Sequence, residues 1–167
     1  MSSFLSNTKT DFSNPLDFIE EIVVDNNWSH NRVNENTLYV EISGQWCDYF
    51  LSLAWNYDTD FLQYTCTYNM RIPSDKEDSI CILLNKINSD LCFGHFELWG
   101  EDGWVLYRNS ISTNNEKKIS SNQIKQIFSL SITECDKFYP TFQFLLWDNK
   151  SPIEAIDAAM LKTLGEA

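Results

Sequence analysis

Apolar residues recur along this chain with two different periods, and the places where the period changes mark out its elements. Leu16, Phe18, Ile19, Ile22 and Val23 repeat at helical spacing. Asn14-Pro15 stands in front of them, a preferred cap followed by a proline whose missing N–H has no partner in a first helical turn anyway. Asp17, Glu20 and Glu21 suit the positive end of the helix dipole. The pattern predicts a helix from Pro15 to about Asp25. From Trp28 the period falls to two. Leu38, Val40 and Ile42 alternate with Tyr39 and Glu41, and Tyr49, Leu51, Leu53 and Trp55 alternate with smaller residues. After turn residues at Asp58-Thr59-Asp60, the stretch Leu62, Tyr64, Cys66, Tyr68 and Met70 alternates with Gln63, Thr65, Thr67 and Asn69. Such strands have one dry face and one wet face, as in an antiparallel sheet covered on one side. A further short strand is expected around His30 to Val33.

The second half returns to helical spacing. Ser74 and Glu77 form a candidate capping box ahead of Ile80, Leu83, Leu84, Ile87 and Leu91. A hairpin follows, Phe93 to Trp99 and Trp104 to Ile111, around Gly100-Glu101-Asp102-Gly103, with glycines where a positive φ is expected. Beyond a polar stretch from Ser112 to Ile119, Ser120 and Gln123 repeat the capping-box pattern. Ile124, Ile127, Phe128, Ile132, Cys135, Phe138 and Tyr139 then carry a long helix. Pro140 is expected to kink or end it, because its ring clashes with the carbonyl four residues back. Phe142 to Trp147 reads as continued helix. Ser151-Pro152-Ile153-Glu154 opens a last helix whose Ala155, Ala158 and Ala159 allow close approach to a neighbour. The succession of elements is α+β: a helix, three or four strands, a helix, a hairpin and further helices. Residues 1–13 read as a disordered leader, and 14–167 as one domain, a size at which a single core is expected.

Composition narrows the function classes. The 167 residues carry 24 acidic and 12 basic side chains, a formal net charge of −12. The longest basic run is Lys117-Lys118. Such a chain is repelled by phosphate-rich partners, so neither nucleic acid nor an anionic membrane is expected as a ligand. The aromatic share is 14%, with 11 Phe, 7 Tyr and 6 Trp, and a surplus of that kind goes to a core or to an interface. The five cysteines are odd in number, lie far apart, make no Cys-x-x-Cys pair and sit among apolar residues. They are expected to be buried free thiols of a reducing compartment. Without an apolar leader or a spanning segment, the expected location is cytoplasmic.

Candidate chemistry is sparse. His30 and His95 are the two histidines, fewer than the protein ligands of a catalytic zinc. His95-Phe96-Glu97 echoes the His-x-Glu of zinc deaminases without its Pro-Cys-x-x-Cys companion. No glycine-rich phosphate loop occurs. No catalytic residue, cofactor or metal is therefore assigned. Trp46, Trp55, Trp99 and Trp104 fall near strand ends or the hairpin tip. With Phe142 and Trp147 they are the candidate protein-interaction residues, since exposed aromatic patches mark partner sites. The competing expectation is a small-molecule-sensing or enzymatic pocket beneath the sheet, lined by Tyr64, Tyr68 and Trp55.

Several segments together are specific. They are Asn14-Pro15-Leu16-Asp17, Gly44-Gln45-Trp46-Cys47-Asp48-Tyr49, Met70-Arg71-Ile72-Pro73 and Gly94-His95-Phe96-Glu97-Leu98-Trp99, followed by the run Cys135 to Phe144 and the tail Ser151 to Ile156. On these the chain resembles the YbjN-like family of bacterial proteins, described as sensory transduction regulators, from about Asn14 to Ala167. The resemblance implies a fold like that of type III secretion chaperones: a bent antiparallel sheet covered by helices in the order α-β-β-β-α-β-β-α, here with an additional C-terminal helix. It also implies a homodimer that works as a regulatory, chaperone-like adaptor binding another protein through apolar surface, and not an enzyme.

Overall fold

The structure, a computed structural model, describes residues 14–113 and 120–164. The expected leader and the segment 114–119 lie outside the described residues. Helix α1 spans Pro15–Asp25, and the Asn14 side chain accepts the Leu16 N–H at 2.9 Å as its cap. Four strands follow, β1 (Ser29–Asn34), β2 (Thr37–Ser43), β3 (Asp48–Asn56) and β4 (Phe61–Arg71). Then come α2 (Glu77–Asp90), the hairpin β5 (His95–Trp99) and β6 (Trp104–Ser112), α3 (Ser121–Trp147) and α4 (Pro152–Leu164).

The strands form one sheet in the order β1-β2-β3-β4-β6-β5, with every neighbouring pair antiparallel. The hairpin therefore docks its second strand, not its first, against β4. Alternation along each strand sends Leu38 and Val40, Leu51 and Leu53, Tyr64, Cys66 and Tyr68, and Tyr107 to one face, where all are buried. The helices cover that face. Phe142 and Phe138 of α3 meet Tyr68 and Phe96 in edge-to-face ring contacts at 5.4 and 5.7 Å, and Trp28 meets Phe128 at 5.7 Å. Helix α4 packs on α3 and α2 through buried Ala155 and Ala159. The opposite face of the sheet carries no helix among the described residues.

Several expectations hold in detail. The short strand near His30 is β1. Gly100 and Gly103 take φ of 73° and 69° in the hairpin turn. At Gly103 any side chain would also collide with the Ile72 carbonyl. Both later capping boxes form. Gln123 N–H donates to Ser120 Oγ at 3.2 Å while Ser120 N–H donates to Gln123 Oε1 at 2.8 Å. Ser151 and Glu154 repeat the exchange.

Others need correction. Ser74 and Glu77 make no capping box: a 3-10 turn occupies Ser74–Lys76, and α2 starts at Glu77 with no side-chain cap. The tight turn takes over the local pairing, with Lys76 N–H donating to the Pro73 carbonyl at 2.9 Å. Pro140 does not end α3, which runs on through Phe142 to Trp147. The carbonyl that a proline at this position strips of its N–H partner is that of Asp136, four residues back, and it accepts the Trp46 indole N–H instead at 3.0 Å. Cys66 and Cys135 are buried free thiols as expected, but Cys47 is half-buried and Cys81 and Cys92 are exposed. In α2 and the turn after it, those last two fall outside the apolar stripe.

Candidate open-face docking trough

The uncovered face of the sheet is built from the residues alternate to the core set. Reading across the registers, Tyr39, Ser52, Thr65 and Arg108 form one row, and Glu41, Phe50, Thr67 and Leu106 the next. Trp99 and Trp104 face each other across the β5–β6 pair at one end. Together they line an open trough of about 700 Å³. Three of its aromatics stand well into solvent: Tyr39 at 46%, Phe50 at 44% and Trp99 at 58% exposure. Large apolar side chains at wet-face positions on three separate strands make a continuous aromatic-rimmed surface, not scattered exposure.

The charges near the trough are partly engaged. The Arg108 guanidinium pairs with Glu97, and Arg71 lies 4.5 Å over the Trp104 ring. His95 Nε2 lies 3.4 Å from Glu97 Oε2, both on the strand face open to water. His30 lines the trough near Glu20, at 3.7 Å, and its Nδ1 contacts the Trp28 carbonyl. Among the described residues no three His, Cys, Asp or Glu side chains converge as a metal site requires. The groups with clearly shifted pKa values lie elsewhere. Burial pushes the hydroxyls of Tyr49, Tyr64, Tyr68, Tyr107 and Tyr139 up, and the Cys47 and Cys135 thiols with them. All favour their neutral, unreactive forms, and all sit on the helix-covered side or its margin.

The sequence candidates are scattered by the fold. Trp99 and Trp104 come together at the trough. Trp46 is half-buried, hydrogen-bonded to α3 and stacked on Tyr139 at 6.3 Å. Trp55 is half-buried, donates to Thr113 Oγ1 at 3.2 Å and lines a smaller polar recess with Asp17, Arg32 and Tyr57. Trp147 is 64% exposed at the end of α3, away from the trough lining. Phe142 is not an interaction residue: it is fully buried against Tyr68 and Phe96. The pocket expected beneath the sheet is also corrected, because Tyr64 and Tyr68 are fully buried in the core that the helices fill. Sequence reading missed Phe50 and Leu106. The usable signal was parity, since each is a bulky apolar residue at the wet-face position of its strand.

Comparisons with known proteins agree with this architecture. The family model described as "YbjN: Putative bacterial sensory transduction regulator" matches residues 15–144. Among curated proteins, none matches the chain in sequence. In fold the chain is similar to the crystal structure of YbjN, a "putative transcription regulator from E. coli", with a TM-score of 0.55 at 11% identity, over 88% of this chain and 93% of that one. The family match spans all six strands, α1, α2 and nearly all of α3, and on it the chain belongs to the YbjN family.

Proposed function

We propose that this protein is a non-catalytic regulatory module that acts by docking another protein on the open face of its sheet. One observation carries the reading: Tyr39, Phe50 and Trp99 stand exposed around one trough on a sheet face that no helix among the described residues covers. Large aromatics at such density form the anchors of protein interfaces. The ionisable groups nearby support it too, since they engage one another as structural pairs and none is poised as a nucleophile with a base.

The sheet edges favour the face over strand addition. On β5 the Asn88 side chain binds both free groups of Phe96, donating to its carbonyl at 2.9 Å and accepting from its N–H at 2.7 Å. That amide acts as a one-residue substitute strand and blocks the edge. On β1 the opposite edge is short, polar and broken by an irregularity between Arg32 and Asn34. The homodimer belongs to the same proposal, paired through the helical layer, where Ile153 and Leu161 stand exposed on one stripe of α4. No helix among the described residues is long and apolar enough to cross a membrane.

The test is a differential capture from native cytoplasm, using the full chain beside a Phe50→Glu/Trp99→Glu variant and a Trp147→Glu variant. Proteins retained by the full chain and by Trp147→Glu, but lost with the double variant, are the expected outcome. An identical set from all three would reject the docking face.

A further inference from the structure

We infer that the occupant of the trough is a cationic amphipathic helix presented by a partner protein, lying across the strands. This rests on the docking reading above and adds the partner's chemistry.

Size is the first argument. The trough lining runs from Ser29 on β1 to Trp99 on β5, across all six strands. Five strand spacings make it roughly 24 Å long. In the other direction it takes in the rows of Tyr39, Phe50 and Trp104, about 14 Å apart from first to last, with Gln63 of a fourth row at its margin. A helix with its side chains is about 10–12 Å wide, and about 16 residues of it cover roughly 24 Å. A strand laid in the same place would be about half as wide as the space, and would find Asn88 on one sheet edge and a polar, irregular strand on the other.

Charge is the second. Glu41 and Asp48 stand on this face, and Glu101 and Asp102 form the turn between the two rim tryptophans. Of the two guanidiniums on this face, Arg108 is neutralised by Glu97, and Arg71 lies over the neutral Trp104 ring and keeps its charge. Those four carboxylates against one cation leave the face acidic, within a molecule of net charge −12, and such a field attracts a basic partner and speeds its encounter. A second copy of this chain is disfavoured as occupant, because it would set the same carboxylates against each other.

The test uses defined probes with the full chain. Three fluorescein-labelled 18-residue peptides are compared by anisotropy at low and physiological salt: a Leu/Lys sequence patterned for one apolar helix face, a permuted sequence of the same composition, and a Leu/Glu sequence of the same pattern. The expected result is at least tenfold tighter binding of the patterned Leu/Lys peptide than of either other. That binding falls at least tenfold in Phe50→Glu/Trp99→Glu and severalfold in the conservative Glu41→Gln, and Trp147→Glu leaves it unchanged. Circular dichroism confirms that each variant is folded. Equal binding of the permuted peptide would overturn the inference, since charge alone would explain it. Equal binding of the Leu/Glu peptide, lost in the double variant, would overturn the cationic partner and leave the docking face standing. Undiminished binding in the double variant would remove both. A dimer in sedimentation without peptide, split by the same double variant, would give the trough to a second copy and overturn the inference.

Discussion

Asp136 gathers three donors, two from the loop between β2 and β3 and one from the start of β3. Its carboxylate accepts from the Gln45 N–H at 2.9 Å and the Tyr49 hydroxyl at 2.6 Å, and its backbone carbonyl accepts from Trp46 Nε1 at 3.0 Å. The carbonyl is free because Pro140 has no N–H to give it. Pro140 and Trp46 are thus two halves of one interaction. Trp46→Phe is expected to cost about 1–2 kcal/mol, the penalty for leaving a partly buried acceptor unpaired. In a Pro140→Ala background a backbone N–H returns to the carbonyl, and the same tryptophan change is expected to cost markedly less. Urea unfolding of the four proteins in a double-mutant cycle reads the coupling. Strict additivity would separate the two residues. The five tyrosines with raised hydroxyl pKa values set the alkaline limit. A hydroxyl raised on folding contributes stability below its ordinary value of 10.0 and loses it as pH rises above that. Each that stays protonated in the fold costs up to about 1.4 kcal/mol per pH unit there. Stability is therefore expected to hold to about pH 10 and then fall steeply, with most tyrosinate absorbance at 295 nm appearing together with the loss of ellipticity. A gradual titration well before unfolding would contradict the burial.

At the level of elements, the periods of the apolar residues located the helices and the strands β2 to β6, whereas β1, Ser-His-Asn-Arg-Val-Asn, carries no apolar period. What they could not fix was adjacency. Nothing in Phe93 to Ile111 says that β6, rather than β5, lies beside β4, because both strands offer a dry face of similar quality. Nor is Asn88 legible as a strand-edge cap: on α2 it is one more polar residue off the apolar stripe. The capping boxes show the same division. Ser120 and Ser151 cap as their spacing indicates, but at Ser74 the chain leaving Pro73 tightens into a 3-10 turn first. Asn88→Leu is expected to destabilise by about 1–2 kcal/mol, by orphaning the Phe96 amide and carbonyl, and to make association depend on concentration, since it uncovers the edge. Urea unfolding and sedimentation measure the two effects. At α4, hydrogen bonds from Ser151 hold the Glu154 carboxyl below its ordinary 4.5. A depressed carboxylate stabilises above its ordinary value and loses that contribution as pH falls through the lowered one. Protection of the first-turn amides of α4 against exchange, relative to the intrinsic rate at each pH, is therefore expected to fall once the pH drops well below that ordinary value, and Glu154→Gln to remove the acid dependence. An unchanged profile in the variant would place the cause elsewhere.

For the whole molecule, the aromatic surplus divides between the two faces of one sheet. Tyr49, Tyr64, Tyr68, Phe96, Tyr107 and Phe142 pack beneath the helices. Tyr39, Phe50 and Trp99 stand on the face left bare. Which aromatic goes to which face is readable from strand parity. That the two hairpin tryptophans share a surface with Tyr39 and Phe50, four and three strands away from Trp99, depends on the strand order and is not. Trp46, Trp55 and Phe142 looked like interface residues because tryptophan and phenylalanine near strand ends serve cores and interfaces alike. Their partners are distant in sequence: α3 for Trp46, Thr113 for Trp55, and Tyr68 and Phe96 for Phe142. The central claim is that the bare face, not the helical side, meets the partner. Site-specific photo-crosslinking in cells tests it most directly, with a benzophenone amino acid placed at Phe50 in one strain and at Trp147 in another. Discrete adducts with other proteins are expected from position 50, and from position 147 none beyond self-crosslinks of the dimer. Adducts with other proteins from 147, with position 50 silent, would reverse the assignment.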